Sequence, residues 1–158
     1  MFDVTDFLLL VPECTLFVTV VALMLLGLYG GAGGRRLVPA IAPVMVVTAL
    51  YFSLKMPVGD TANLLFNRLL QVDVFTQFAK ALVLLSTLLA MVLASYWQRN
   101  HTQEDRFEFP LLMLLASLGM CLMISAADML SLYLGLELMS LSLYVLTAFD
   151  RDNRLASE

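Results

Sequence analysis

Five apolar runs constrain what this chain can fold into: Phe7–Tyr29, Leu37–Met56, Phe75–Trp97, Pro110–Ala127 and Met129–Phe149, each 18 to 23 residues long. At 1.5 Å of helical rise per residue, about 20 residues cross the hydrocarbon core of a bilayer. In that medium a backbone amide finds no water, so a spanning run must bond to itself as a helix. Of the 158 residues, 61% are hydrophobic and 14% charged, and mean hydropathy is +0.88. Soluble domains lie nearer about 45–50% apolar and 25% charged. The expectation is an all-α integral membrane protein, one bundle of five transmembrane helices with no internal repeat and no second domain.

The charges sit in the connections, so the net charge of −4 says little about partners. No basic patch points to nucleic acid, and no glycine loop of the phosphate-binding kind follows a strand. Asp3 and Asp6 stand where a secretory signal carries Lys or Arg, so the first run is read as a retained helix. With the N-terminus outside, the inner connections carry Arg35, Arg36, Arg99, Arg106, Arg151 and Arg154, and the outer ones Lys55 and Arg68. That bias sets the N-terminus outside and the C-terminus in the cytoplasm. Gly27 to Gly34 reads as a flexible turn after the first helix. Pro39 and Pro43 disturb the first turns of the second. The Leu64–Leu70 piece of the outer connection is apolar enough for the interface, as either helix or strand.

The last run carries one charge, Glu137, nine residues past Asp128 and so about 14 Å along the axis. A carboxylate at that depth costs roughly 2.5–3.5 kcal/mol on insertion scales, which marks a functional candidate. At 100° per residue, Tyr133, Glu137, Ser140 and Tyr144 share an arc of about 60°. Ser131, Gly135 and Ser142 lie opposite, where small side chains let another helix approach. The two faces suit a position inside a bundle. Glu137 is then either a proton-handling group or a protonated carboxyl bonded to a neighbouring hydroxyl. Asp128 is a good N-cap for this helix, and Ala127-Asp128 makes a tight turn from the fourth. Ala116, Ser117 and Gly119 favour close packing of that fourth, uncharged helix.

Lys80 lies about 7–8 Å inside the third run. It snorkels to the headgroups or meets a local polar group, or else pairs with Glu13 at equal depth on the first run. Cys14 and Cys121 sit in apolar runs without Cys-x-x-Cys spacing and are read as packing residues. His101 is alone in a polar loop, so no histidine cluster is present for a metal or haem. The chain has no redox site of its own.

From Glu108 to Glu158 the sequence resembles subunit N of the bacterial proton-pumping NADH–quinone oxidoreductase, respiratory complex I. The core of the match is LYLGLELMSLSLYVL, Leu132 to Leu146, directly after the Ser-Ala-x-Asp turn of Ser125–Asp128. The earlier runs agree more loosely, through Pro12-Glu13 and the Val-Asp-x-Phe of Val72–Phe75. That subunit belongs with antiporter-like membrane proteins, similar also to subunits of multi-component sodium/proton antiporters. The resemblance implies that Glu137 partners a lysine on a later helix, and that a change in their separation moves a proton outward. A near carboxylate favours a charged lysine and desolvation a neutral one, so distance alone switches the state. Lys80 also falls where family members often carry a lysine, and with Glu13 completes the set of candidate site residues.

The family subunit has many more helices, so these 158 residues correspond to its N-terminal part, as a fragment or as one half of a split subunit. The implied partners are the lipid bilayer, other complex I membrane subunits and the remaining helices of the same subunit, in the bacterial inner membrane. NADH, flavin, iron–sulfur clusters and quinone are expected on other subunits, with no cofactor in this chain. The alternatives are a sodium/proton antiporter subunit and a structural or assembly membrane protein without transport.

The arginine bias generates a test. Cysteines placed by Arg35→Cys and His101→Cys should react only with permeant reagents in intact cells, and one placed by Asp60→Cys with impermeant ones as well. Labelling at position 101 from outside would reverse the orientation.

Overall fold

The computed structural model describes residues 10–55, 63–65, 69–101 and 107–148. Arg68, Arg106, Arg151 and Arg154, and the side chains of Trp97, Arg99 and His101, lie outside the described set. So do Asp3, Asp6 and Asp60.

Five helices carry the fold: α1 (Val11–Tyr29), α2 (Gly31–Lys55), α3 (Val74–His101), α4 (Glu108–Ser125) and α5 (Met129–Thr147). Each contains a stretch long and apolar enough to cross a membrane by length and composition. Between α2 and α3 lies an antiparallel pair, β1 (Asn63–Leu65) and β2 (Leu70–Val72), with Leu65 opposite Leu70 and Asn63 opposite Val72. Of the segment whose conformation the sequence leaves open, Leu64, Leu65 and Leu70 lie in strands, paired as the two arms of a hairpin.

One expectation fails. The glycine stretch is not a flexible turn, because α2 begins at Gly31 and takes Gly33, Gly34, Arg35 and Arg36 into its first turns. The reversal is confined to Gly30 and Gly31, and Gly31 holds φ +58°, a left-handed value that glycine adopts without a steric penalty. A Cβ on Gly30 or Gly34 would run into the Leu26 carbonyl oxygen, so glycine is what lets α2 fold back directly on α1. Pro39 and Pro43 consequently lie inside α2, leaving the carbonyls of Arg35 and Pro39 without their helical donors.

Helices α1 to α4 form a ring: α1 packs on α2, α2 on α3, α3 on α4 and α4 back on α1. The core runs through it in layers, with Leu16, Val38, Val46, Leu84 and Leu114 fully enclosed. The hairpin covers one end. Leu70 bridges to Ala126, and the Ala127 amide donates to the Leu69 carbonyl at 3.0 Å, tying β2 to the α4–α5 turn. At the other end Phe107 packs against Gly27 and carries the Arg35 guanidinium 5.6 Å above its ring.

The uncharged α4 is the central helix. Half of it is buried, against 11% of the apolar stretch of α5. Helix α5 lies outside the ring with α4 as its main neighbour, so the expected position inside a bundle does not hold among the described residues. Its seam follows the small-residue face: Gly135 and Ser142 are its buried residues, and Gly135 meets Gly119 of α4. A Cβ on Gly119 would stand 2.7 Å from the Met139 amide nitrogen and 2.8 Å from the Gly135 oxygen. One on Gly135 would stand 2.9 Å from the Met123 nitrogen and 3.0 Å from the Gly119 oxygen. Backbone touches backbone in both directions, and neither side has a flexible atom that can give way.

Capping fixes where two helices begin. The Asp128 carboxylate accepts from the Leu130 amide at 3.3 Å, as its position predicts. Asp73 and Thr76 bond reciprocally ahead of α3: the Thr76 amide donates to Asp73 Oδ1 at 2.7 Å, and the Asp73 amide to Thr76 Oγ1 at 2.8 Å.

Two outcomes are expected. Gly119→Val should destabilise the α4–α5 pair by about 1–3 kcal/mol in a detergent thermal melt, whereas Gly33→Ala, which meets nothing within 4 Å, should be neutral or slightly stabilising. The Thr76 amide holds the Asp73 carboxyl below its usual value. The cap therefore contributes fully above the ordinary carboxylate pKa and is lost as pH falls through the lowered, folded value. Asp73→Ala should cost about 1 kcal/mol at neutral pH, with the difference from wild type closing in acid.

Candidate functional site

Three charged side chains on the membrane helices frame the chemistry, and the structure sorts them into two places. Glu13 lies in the first turn of α1 and Lys80 on the seventh residue of α3. Both helices run in the same direction at opposite corners of the ring. Helical side chains lean towards the N-terminus, so the lysine stem reaches back to the depth of Glu13. Lys80 Nζ stands 2.5 Å from Glu13 Oε1, with 3% and 5% of the two side chains exposed. Lys80 does not snorkel to the headgroups. It crosses the long diagonal of the ring and pins α1 to α3.

The contact is an enclosed ion pair, with the Lys80 ammonium held against Glu13 Oε1. Removing one charge of such a pair leaves the other uncompensated and costs roughly 3–5 kcal/mol.

Other polar residues gather at this end. Gln77, one turn before Lys80, donates through Nε2 to the Ser53 carbonyl of α2 at 2.5 Å. Ser53, Thr76 and Ser125 are buried. Cys121 of α4 is buried in the core, whereas Cys14 is exposed and is not a core packing residue. The serines escaped notice in the sequence because each is a single small hydroxyl near a helix end. The available signal was that the hairpin-side ends of α2 and α4 carry a serine at the depth of Glu13.

Glu137 sits elsewhere. It is half-buried on α5, which has no substantial contact with α1 or α3, so the structure does not bring it to the Glu13–Lys80 pair. Its backbone carbonyl accepts from Ser140 Oγ at 3.1 Å, while its carboxylate has no hydrogen bond or ion pair among the described residues. The alternative of a carboxyl bonded to a neighbouring hydroxyl is therefore not realised among them. Tyr133 and Tyr144, on the same face, are 59% and 69% exposed. The hydrogen-bonding face of α5 looks away from α4, a single carboxylate between two tyrosines at mid-helix.

No family model matches the chain. Among curated proteins it is 40% identical over 147 residues to NADH-quinone oxidoreductase subunit N of Azorhizobium caulinodans, covering 93% of this chain and 30% of that protein. The subunit N of Bartonella bacilliformis is 37% identical over 155 residues, and that of Rhodospirillum rubrum 40% over 147. A solved chain of respiratory complex I from Thermus thermophilus with bound aureothin superposes with a TM-score of 0.65 at 30% identity, covering 86% of this chain and 28% of that one. The chain thus spans about 30% of the length of the relatives it matches. Over nearly all of its own length, this multi-pass membrane protein belongs with subunit N of the NADH-quinone oxidoreductases.

Proposed function

We propose that the chain works within the membrane arm of a proton-translocating NADH:quinone oxidoreductase, where Glu137 is the mid-membrane carboxylate through which proton movement is coupled to quinone reduction elsewhere in the complex. The observation that carries this is the environment of Glu137: a carboxylate about 14 Å along its helix, half-buried and unpartnered among the described residues, on the face of α5 turned away from α4. A charge placed there at an insertion cost needs a partner approaching that face. A cationic side chain on a neighbouring helix supplies one, and its approach or withdrawal changes which of the two groups holds the proton.

In this reading the chain contributes no redox centre, and NADH, flavin, iron–sulfur clusters and quinone reside on other subunits. Its partners are those subunits, the further helices of the same subunit and the lipid of a bacterial inner membrane. The N-terminus faces outside, so the Arg35 end of the ring faces the cytoplasm and the hairpin end the exterior.

The test is substitution at Glu137 in the assembled complex. Glu137→Gln keeps size and hydrogen bonding but removes the charge, so assembly should survive while proton pumping in vesicles falls severalfold. Glu137→Asp keeps the charge and should be milder. If Gln leaves quinone reductase activity and pumping at wild-type values, Glu137 is a packing residue. If Gln blocks assembly, the comparison of Asp with wild type decides.

A further inference from the structure

At the end of the ring opposite the Glu13–Lys80 pair, two charged side chains stand at the mouth of an apolar groove of about 400 Å³. Helix α1 lays Val20, Met24 and Leu28 along one wall, at the spacing of a single helical face. Helix α4 lays Leu111 and Leu115 along the other, and Val145 of α5 closes the side. Met24 and Leu28 are 52% and 56% exposed, so the groove is open to the surroundings of the ring. Phe107 and Glu108, at the start of α4, complete the lining at the mouth. Phe107 is buried against Gly27 and carries the exposed Arg35 guanidinium 5.6 Å above its ring, a contact that keeps the cation at this mouth. Glu108 is exposed, and it does not pair with Arg35.

Length and volume point to the occupant. From Leu28 to Val20 the groove follows α1 for about 12 Å, close to the roughly 15 Å depth of hydrocarbon in one leaflet. It starts at the helix end and stops at mid-helix. A transmembrane helix, about 10–12 Å across, would take up roughly 900–1,400 Å³ over that length and would not stop halfway. An extended alkyl chain suits a channel of this size and buries its methylenes against Met24, Leu28 and Leu111. The groove in the opposite half of the α1–α4 seam presents no polar surface, so nothing in its wall selects a headgroup.

We propose that this groove is a binding site for a phospholipid whose headgroup carries a primary ammonium. One acyl chain lies between α1 and α4, the phosphate meets Arg35, and the ammonium meets Glu108. Arginine offers a fork of N–H donors that matches phosphate oxygens, and basic sites between membrane helices take lipid headgroups in this way. A purely anionic headgroup would set its phosphate against the Glu108 carboxylate and leave that carboxylate uncompensated. A primary ammonium donates N–H bonds to it. A quaternary choline has no N–H to donate, so the site separates two lipids of equal net charge. The bound lipid would join the Arg35 start of α2 to the facing walls of α1 and α4. The site is separate from Glu137 and does not rest on the role proposed for it.

The experiment is photo-crosslinking in the intact oxidoreductase, reconstituted in vesicles of phosphatidylethanolamine, phosphatidylcholine and phosphatidylglycerol. One lipid at a time carries a diazirine on an acyl chain, and the labelled peptides are read by mass spectrometry. Each probe is normalised to its labelling of the rest of the complex. The ethanolamine probe should label Met24, Leu28 and Leu111 severalfold more than the choline or the glycerol probe. Arg35→Gln should lower that labelling severalfold, and Glu108→Gln should bring the ethanolamine probe down to the choline level. If no probe labels the groove, protein covers it and the lipid site is overturned. Equal labelling by the three probes, or a preference for choline or glycerol, leaves ordinary bilayer contact and overturns the headgroup selection. Labelling unchanged in Arg35→Gln or Glu108→Gln overturns the contact assigned to that residue. Should a variant not assemble, the three probes on the wild type decide.

Discussion

Hydrocarbon offers a backbone amide nothing to bond to, and the rest of this structure follows from that constraint. Each apolar run closes its own hydrogen bonds as a helix, and the remaining backbone polarity is pushed to the ends. There the Asp73–Thr76 and Asp128 caps take up first-turn amides, and the hairpin and the α4–α5 turn satisfy one another through Leu69, Leu70, Ala126 and Ala127. Two prolines inside α2 are the exception, and they sit in the one helix whose start is set by glycine contacts with α1.

Once the helices exist, apolar surface alone does not tell them where to go, because a lipid tail is as oily as a leucine. Association then depends on close backbone approach and on polar contacts. Gly119 and Gly135 provide the first, fixing α5 against α4 along one seam. Glu13 and Lys80 provide the second, joining the two corners of the ring that share little other contact. Helix α4 becomes central because it has small residues on one side for α5 and a leucine-rich side for the ring.

The two carboxylates show what environment does with one side-chain type. Glu13 is enclosed and neutralised by a lysine at contact distance. Glu137 is turned outward between tyrosines with nothing of opposite charge beside it among the described residues. The first arrangement joins α1 to α3 across the ring. The second leaves a carboxylate on the face of its helix turned away from α4, the feature on which the role proposed for Glu137 rests.

Much of this was legible in residues taken one at a time. Run length and hydropathy required five spanning helices, Asp128 announced its cap, and the 100° spacing of Ser131, Gly135 and Ser142 foretold the face that α5 packs. The Leu132–Leu146 motif placed the chain with its relatives and singled out Glu137. The sequence by itself thus determined the helices, the faces of α5 and the family, because helical rise and periodicity are local properties of the backbone. Only the tertiary structure decided that Lys80 meets Glu13 rather than the headgroups, that Gly31 starts a helix instead of prolonging a turn, that α4 and not α5 is central, and that Ser53 and Ser125 join the buried end. Each of those depends on which helix stands next to which, and that is set by close contacts between residues tens of positions apart, which no local pattern records.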